Sequence, residues 1–274
     1  MKKYAVVGEK LAHTMSPIIH QLFFDKKNIE ASYDVVEIPK GDFANCRKIL
    51  LGYDGVNVTV PYKQEIIKYL DEIDDVAMQI GAVNTIVNRN GKLCGFNTDV
   101  FGFKFLLEDN GFDCKDKSVA VLGSGGASKA IVFCLLKMRA KEIFVVSRDV
   151  VKAEKDYDDN FCKQDKSAVK KDCCDDFDKQ DKSADKKYNH TSKCCLENCN
   201  LNDNGSVDLT TLKFVGYEQL EKMSGFLIVN TTPIGMFPND GKSPIAENIT
   251  KNFEAVCDIV YNPSVTKLCF DAVN

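Results

Sequence analysis

A strand, a glycine loop and a helix follow one another without a break near the middle of the chain. Residues 119–122 are continuously apolar and run directly into a loop at 123–128, Gly-Ser-Gly-Gly-Ala-Ser. An apolar helix through 131–136 and a second buried strand at 143–146 complete a βαβ unit of about thirty residues. A dinucleotide-binding fold requires this context, and the sequence therefore predicts a Rossmann-type domain.

The glycines of this loop have separate roles in binding a diphosphate. Gly123 permits the tight turn out of the strand, and Gly125 lets the backbone approach the phosphate oxygens. The positive end of the helix behind the loop favours negative charge. We therefore expect cofactor contacts at Gly123, Ser124, Gly125, Gly126 and Ala127, with tight packing as the alternative role of the glycines.

The residues after the second strand indicate which dinucleotide binds. An NAD site usually has an acidic residue there, which binds the ribose hydroxyls. This chain has Ser147, Arg148 and Asp149, with Lys152 one turn later. A guanidinium can pair with a 2′-phosphate through two hydrogen bonds, so the sequence favours NADP, with Ser147, Arg148 and Lys152 as cofactor-binding residues. Asp149 could instead bind the hydroxyls of a ribose without a 2′-phosphate, so NAD is the alternative cofactor.

The composition excludes several other classes of protein. A net charge of −4 without a basic stripe gives no footprint for nucleic acid. The apolar start of the chain, residues 4–7, is too short for a signal peptide or a membrane span, so we expect a cytoplasmic protein. The chain has twelve cysteines but no secretory signal, which argues against a disulfide scaffold. Scattered cysteines such as Cys46 and Cys114 are interpreted as small buried hydrophobes.

The first hundred residues predict a second α/β unit. Short apolar strands alternate with helices, and Asn90-Gly91 marks a tight hairpin near the end. Ser16 followed by Pro17 predicts the N-cap and the first residue of a helix. The helix after it has an apolar face formed by Ile18, Ile19, Leu22 and Phe23.

Polar side chains in this half follow the predicted ends of its strands. Ligands of open α/β sheets bind beyond the carboxyl ends of the strands, so these side chains could hold a polyhydroxylated carboxylate. Taken singly, Ser16 and Asp99 could serve only as helix caps, and Lys63 could be a solvated lysine. The positions are Thr14, Ser16, Asn57, Thr59, Lys63, Asn84, Asn97 and Asp99.

Ordered motifs along the chain resemble the signature of the shikimate and quinate dehydrogenase family. The resemblance covers the whole chain except one charged segment, and several motifs in the same order are far more specific than any one of them. The matching stretches are SPIIH at 16–20, NVTVPYK at 57–63, GAVNT at 81–85, GFNTD at 95–99, GSGGAS at 123–128, Ser147-Arg148 with Lys152, NTTPIGM at 230–236 and DIVYNP at 258–263.

The resemblance implies a reversible, NADP-dependent reduction of 3-dehydroshikimate to shikimate, a step of the shikimate pathway to chorismate and the aromatic amino acids. It implies that Lys63 handles the proton at the reacting oxygen, while Asp99 orients the substrate hydroxyl and shares the proton. An ammonium can stabilise and protonate the alkoxide that hydride transfer creates, and no metal is needed. Further implied contacts are Thr14 and Ser16 to the carboxylate, Thr59, Asn84 and Asp99 to ring hydroxyls, Tyr261 to the substrate, and Thr231 and Met236 to the cofactor.

Two domains and one insertion are therefore expected. Residues 1–100 form a mostly parallel α/β substrate-binding domain, residues 101–262 form the Rossmann-type NADP domain, and residues 263–274 begin a C-terminal helix that returns to the substrate domain. A segment at about 156–206 is rich in Lys, Asp and Cys and repeats Lys-Gln-Asp-Lys-Ser-Ala, so we expect a solvated, disordered insertion. The expected partner is a small-molecule substrate, and the expected assembly is a monomer or homodimer.

Departures from the family pattern leave other functions open. Thr14 stands where the family has a serine, and its extra methyl group could shift the preference toward quinate. The family continues, beyond a position equivalent to Asn274, with a loop near the nicotinamide and a helix that bears a substrate-binding glutamine. A chain without them is expected to be impaired, which makes a shikimate-binding regulatory protein an alternative.

A zinc site within the insertion is a further alternative. Its ligands would come from Cys173, Cys174, Cys194, Cys195, Cys199 and His190. The cysteines occur as adjacent pairs and not with the Cys-x-x-Cys spacing of most structural zinc sites, which argues against it.

Overall fold

Residues 1–12, 14–161 and 211–273 are described by the structure, a computed structural model, with the backbone alone for 159–161. The chain divides into two units, Met1–Asp99 and Val100–Asn274. Most of the predicted insertion, including every proposed zinc ligand, lies outside the described residues.

A six-stranded sheet forms the centre of the first unit, in the order β2-β1-β3-β5-β6-β4. Strand β5 is antiparallel to both of its neighbours, and the other pairs are parallel. Asn90 and Gly91 have φ angles of 55° and 89°, the left-handed turn that a tight hairpin between β5 and β6 requires, as predicted. The strands are β1 Lys2–Gly8, β2 Ala31–Glu37, β3 Gly55–Val58, β4 Glu72–Ile73, β5 Thr85–Arg89 and β6 Lys92–Phe96.

The helices of the first unit are short, and the start of the first one differs from the prediction. Met15, not Ser16, is the N-cap residue, and Ser16 is already helical. Proline is tolerated anywhere in the first turn, so Pro17 does not fix the boundary to one residue. The helical segments are α1 Ser16–Lys27, a 3-10 helix Lys40–Asn45, α2 Cys46–Leu50, a 3-10 helix Glu65–Tyr69, α3 Asp75–Ile80 and α4 Asp99–Asp109, which continues into the second unit.

The apolar face predicted for α1 is largely solvent-exposed. Its buried residue is Phe24, which contacts the ring of Tyr4 at a centroid distance of 5.5 Å. The side chains that the sequence places on the apolar face are at least half exposed: Ile18, Ile19, Leu22 and Phe23.

Five parallel strands form the sheet of the second unit, in the order β11-β10-β7-β8-β9. The chain moves outward from β7 through β8 and β9, and then returns to β10 on the other side of β7. This is the Rossmann order, and its switch point lies between β7 and β10. The strands are β7 Ser118–Leu122, β8 Glu142–Val146, β9 Leu212–Val215, β10 Gly225–Asn230 and β11 Phe253–Asp258.

One boundary prediction in the second unit was wrong. The insertion is expected to begin at about 156, but a helix, α6, covers Val150–Phe161, and Tyr157 within it is 1% exposed. Ala153 and Tyr157 lie one helical turn apart and are both buried, so a charged segment contains a narrow packed stripe.

The helices of the second unit are α5 Gly126–Lys137, α6 Val150–Phe161, α7 Tyr217–Leu220, α8 Glu247–Thr250 and α9 Lys267–Val273. Helix α9 packs on β11 and α8.

The cysteines within the described ranges are all free thiols. Cys46, Cys94, Cys114 and Cys134 are buried, as predicted, whereas Cys257 and Cys269 are partly exposed. In residues 1–12, 14–161 and 211–273, no helix is both long enough and apolar enough to span a membrane.

Candidate active site

The first unit gathers its polar residues at one edge of the sheet. Strands β1, β3 and β6 run in the same direction and reach their carboxyl ends at this edge, where antiparallel β5 begins. Thr85, the first residue of β5, is paired with Asn57 on one side and Phe96 on the other. Residues just after β3 and β6, and just before β5, are therefore neighbours, as the sequence argument requires.

Lys63 and Asp99 form an ion pair at this edge. The Lys63 Nζ donates a hydrogen bond of 2.7 Å to Asp99 Oδ2. The side chains are 16% and 31% exposed, so both are shielded from bulk water but remain accessible to a small molecule. An ammonium beside a carboxylate in such a setting can exchange a proton with a third polar group.

The backbone on both sides of the lysine side chain is fixed by buried groups. Tyr62 is fully buried, stacks on Phe43 at 3.8 Å between ring centroids, and donates its hydroxyl hydrogen to the Ile38 carbonyl. The carbonyl oxygen of Lys63 accepts a 2.7 Å hydrogen bond from the Val83 amide. These contacts limit the positions that the Lys63 ammonium can reach.

Asn84 holds the other oxygen of the aspartate. Its Nδ2 donates to Asp99 Oδ1 at 2.7 Å and to Thr98 Oγ1 at 3.0 Å. Its Oδ1 accepts from the Thr98 amide and from the Thr85 hydroxyl, each at 2.9 Å. Asn84 is 8% exposed, so the hydrogen bonds of its amide nitrogen and oxygen are largely shielded from water. Thr85 and Thr98 were not among the predicted site residues, although both lie in the matched motifs.

This network extends away from the ion pair into the sheet. The Tyr33 hydroxyl donates to Asn57 Oδ1 at 2.6 Å, and Asn57 Nδ2 donates to Thr85 Oγ1 at 3.5 Å. The His20 ring stacks on Tyr33 at 4.0 Å. Asn57, predicted as a possible ligand contact, thus bonds within the sheet, and no sequence motif pointed to Tyr33.

Thr14, Ser16 and Thr59 lie at the same end of the unit. The Ser16 amide donates to Thr14 Oγ1 at 3.3 Å, and the Thr59 amide donates to the carbonyl of Val7 in β1. A Cβ atom on Gly8 would lie 2.9 Å from Thr59 Cγ2, so glycine is needed where β1 and the Thr59 segment approach each other. All three hydroxyl-bearing residues are partly buried.

The glycine loop of the second unit lies at the switch point between β7 and β10. Gly123 has a φ of +105°, and a Cβ atom there would lie 2.9 Å from Thr231 Oγ1. Thr231 donates from its amide and its hydroxyl to the Leu122 carbonyl, at 3.0 and 2.6 Å. Gly125 is exposed, and a Cβ atom there would meet no heavy atom within 4 Å. The loop is thus rigid on its protein side and open on its outer side.

That opening fits a dinucleotide diphosphate. The amide groups of the first turn of α5 have no intrahelical partners, and the end of this twelve-residue helix is electropositive. An exposed glycine at the N-cap lets phosphate oxygens approach these amides without a side chain between them. The loop residues are those that the sequence predicted, but the Thr231 hydroxyl holds the loop, since it bonds to Leu122.

The segment after β8 presents two cations. Arg148 and Lys152 are exposed, and Ser147 is 9% exposed. The Asp149 carboxylate accepts a 3.0 Å hydrogen bond from the Lys152 amide, so it caps α6. This contact gives Asp149 a structural role and supports the preference for a 2′-phosphate. Burial raises the pKa of Tyr217, and the nearby Arg148 guanidinium opposes that rise, which identifies Tyr217 as a neighbour of this site that the sequence did not indicate.

A buried polar contact joins the ends of β10 and β11. Asn230, fully buried, donates to Asp258 Oδ1 at 3.0 Å and to the Ile234 carbonyl at 3.2 Å. Burial raises the pKa of Asp258, and hydrogen bonds from Val260, Thr266 and Asn230 oppose the rise. These bonds shape the loops that bear Met236 and Tyr261.

Met236 and Tyr261, predicted to contact the cofactor and the substrate, are 43% and 62% exposed in the second unit.

Within the part of the chain that the structure describes, no three His, Cys, Asp or Glu side chains are arranged to hold a metal ion.

The second unit is a Rossmann unit with an open glycine loop and two cations after β8, and the first is an α/β unit with a lysine–aspartate pair. These features define a class of protein: a two-domain, dinucleotide-dependent oxidoreductase. Residues 6–86 match the family model described as shikimate dehydrogenase substrate binding domain. The shikimate dehydrogenase (NADP(+)) of Clostridium beijerinckii is 35% identical, over 97% of this chain and 81% of its own length. That of Caldanaerobacter subterraneus is 33% identical, over 97% and 80%. The chain belongs to the shikimate dehydrogenase family.

Solved structures agree with this assignment. Shikimate dehydrogenase 1 from Peptoclostridium difficile superimposes with a TM-score of 0.76 at 32% identity, and covers 100% of this chain and 83% of its own. Shikimate 5-dehydrogenase from Thermus thermophilus, in complex with NADP(H) and shikimate, has a TM-score of 0.72 at 25% identity, with 100% and 84% covered.

Proposed function

We propose that this protein is an NADP-dependent shikimate dehydrogenase that interconverts shikimate and 3-dehydroshikimate. The observation that supports this most directly is the 2.7 Å ion pair between Lys63 and Asp99 at the carboxyl edge of the first sheet. Lys63 lies within the stretch that matches the substrate-binding domain of the family, and relatives named for this NADP-dependent reaction match nearly the whole chain.

The lysine ammonium is the group that handles the proton. In the direction of reduction, negative charge develops on the carbonyl oxygen of the substrate, and the Lys63 ammonium stabilises that charge and then donates a proton to it. In the direction of oxidation, the neutral amine removes the proton from the hydroxyl group. NADP, when bound, accepts or supplies the hydride.

Asp99 orients the lysine and shares its proton. One of its oxygens bonds to Lys63, and the other is held by Asn84, so the carboxylate cannot rotate freely. We assign Thr14 and Ser16 to the substrate carboxylate, and Thr59, Asn84 and Asp99 to its ring hydroxyls. Tyr261 is the remaining proposed contact to the substrate.

The second unit would hold the cofactor. The loop from Gly123 to Ala127 and the first turn of α5 would receive the diphosphate. Ser147, Arg148 and Lys152 would bind the 2′-phosphate, since two exposed cations stand after β8 and the nearest carboxylate is used to cap α6. Thr231 acts by holding the loop, and Met236 remains the proposed contact to the nicotinamide end.

Thr14 supports quinate as a second candidate substrate. Where a serine would leave room, the methyl group of a partly buried threonine narrows the carboxylate site. We expect the methyl group to change the relative affinity for shikimate and quinate. Shikimate and quinate would be oxidised with the same cofactor and the same proton-transfer pair.

The test is a steady-state assay of NADPH or NADH formation, with shikimate and with quinate, each combined with NADP and with NAD. We expect the largest kcat/KM for shikimate with NADP. A larger value for quinate would transfer the assignment to quinate dehydrogenase. No turnover with any pair, together with measurable binding of shikimate by calorimetry, would favour the regulatory protein over the enzyme.

A further inference from the structure

A buried hydroxyl pair lies directly beneath the glycine loop. The Ser128 hydroxyl donates a 2.7 Å hydrogen bond to the carbonyl oxygen of Gly123, the residue that makes the left-handed turn. The Tyr157 hydroxyl lies 2.7 Å from Ser128 Oγ. Because the single hydroxyl hydrogen of Ser128 is used on Gly123, the hydrogen between the two hydroxyls comes from Tyr157. The bonds therefore point in one direction, from α6 through α5 to the loop.

The surroundings of this pair leave little freedom of movement. Ser128 is fully buried and Tyr157 is 1% exposed. The Tyr157 ring packs against Phe214 of β9 at 5.3 Å, and the ammonium of buried Lys129 lies 5.6 Å from its centroid. Lys129 also donates a 3.0 Å hydrogen bond to the carbonyl of Asp156, the residue before Tyr157. Two adjacent residues of α5 thus bond to two adjacent residues of α6.

Helix α6 also begins at the proposed 2′-phosphate site. Its first turn contains Lys152, its N-terminus is capped by Asp149, and Arg148 lies two residues before its first residue. The same helix that presents the cations after β8 therefore reaches the loop after β7 through Tyr157. Neither Ser128 nor Tyr157 is in contact with solvent, so their effect on a ligand must pass through the Gly123 backbone.

We propose that Tyr157 is a positioning residue for the cofactor: its hydroxyl fixes Ser128, Ser128 fixes the Gly123 carbonyl, and the loop is thereby held ready for the diphosphate. This inference rests on the proposed dinucleotide site in the second unit. Preorganisation of a loop increases affinity because less conformational freedom is lost on binding. The diphosphate is common to NADP and NAD, so the effect must be the same for both.

The test is the Kd for NADP and for NAD, measured by calorimetry on the full-length wild type and on Tyr157→Phe, Ser128→Ala and the double variant. A net buried hydrogen bond corresponds to about a threefold to tenfold change in an equilibrium constant. We expect Tyr157→Phe to weaken both cofactors by this factor, with an unchanged ratio between them. The double variant should bind no more weakly than Ser128→Ala, because the tyrosine acts only through the serine.

Thr250→Val is the matched control. Thr250, in α8 of the same unit, also has a buried hydroxyl, which donates to the Glu247 carbonyl at 2.7 Å. Its loss should lower the melting temperature while leaving both Kd values unchanged. If Tyr157→Phe lowers the melting temperature without changing either Kd, the residue is merely structural and the inference is wrong.

Other outcomes are equally decisive. Additive losses in the double variant would overturn the proposed order of action. If Tyr157→Phe does not fold, Ser128→Ala alone must show the loss of affinity, and an unchanged Kd there would refute the inference. If the wild type binds NAD more tightly than NADP, only the assignment of NADP as the cofactor is wrong, because the effect of Tyr157→Phe can still be measured with NAD. If the wild type binds neither NADP nor NAD, both the cofactor assignment and the inference about Tyr157 are wrong.

Discussion

Asn84 Nδ2 lies 2.7 Å from Asp99 Oδ1, so the carboxylate that pairs with Lys63 is held from two sides. The aspartate stands at the first residue of α4, where its backbone amide is in turn bonded to Asn97 at 3.0 Å. A residue assigned by family resemblance to substrate hydroxyls is therefore also the group that orients the proposed catalytic pair.

Asn84→Ala should lower kcat about tenfold or more, because one oxygen of Asp99 loses its partner and the Thr98 amide loses its acceptor. The loss of the Asn84 hydrogen bonds should also cost about 1–3 kcal/mol of stability. Steady-state kinetics and urea unfolding measure the two effects. The control is Asn88→Ala, which loses hydrogen bonds to the Tyr53 and Leu51 carbonyls away from the ion pair. An equal fall in kcat for both variants would contradict the orienting role.

Gly123 and Gly125 of the loop should respond in opposite ways to alanine. Gly123→Ala should be strongly destabilised, since φ is +105° and the new Cβ would lie 2.9 Å from Thr231 Oγ1. Gly125→Ala should keep the stability of the wild type, because its Cβ would enter open space. It should nevertheless weaken NADP binding, since that space is the proposed diphosphate cradle. Unaltered affinity in Gly125→Ala would place the diphosphate elsewhere.

Arg148→Gln should reduce the preference for NADP over NAD. A charge-assisted hydrogen bond contributes about 1.5–3 kcal/mol, so we expect about a tenfold to hundredfold weaker Kd for NADP and little change for NAD. Lys141→Gln is the control, because Lys141 is an exposed cation at the opposite, amino end of β8. An equal loss for both cofactors would mean that Arg148 does not read the 2′-phosphate.

Asp74 should make stability depend on pH between about 4 and 6. Burial raises the pKa of this carboxyl from 3.8 to about 6, although it accepts a hydrogen bond from the Ala77 amide as the N-cap of α3. The folded state therefore binds the proton more tightly than the unfolded state does. The resulting stabilisation is full below the unfolded pKa and is lost as the pH rises through the folded pKa.

Asp74→Asn keeps an N-cap without the charge and isolates this effect. Its free energy of unfolding, measured in urea, should rise relative to that of the wild type from pH 4 to pH 6 and then stay constant, with a gain of about 1–3 kcal/mol. A difference between the two proteins that does not vary over this range would show that Asp74 is not perturbed in the folded state.

Motifs with a defined geometric context could be predicted from the sequence, and isolated contacts could not. The glycine loop was predictable because a buried strand and an apolar helix flank Gly123, and the hairpin was predictable because Asn90-Gly91 adopts left-handed backbone with little strain. Tyr157 was missed because it is a single buried aromatic residue among charged neighbours. The role of Thr231 was missed because it depends on the carbonyl of Leu122, more than a hundred residues away in the chain.

The most direct test of the central claim is the turnover of shikimate and NADP by Lys63→Ala, compared with Lys68→Ala, which removes an exposed lysine from the neighbouring 3-10 helix. If Lys63 handles the proton, kcat should fall about a hundredfold to ten-thousandfold in the first variant only. The Kd values for NADP should remain those of the wild type in both. A Lys63→Ala variant that keeps kcat within a few-fold of the wild type would contradict the proposed mechanism.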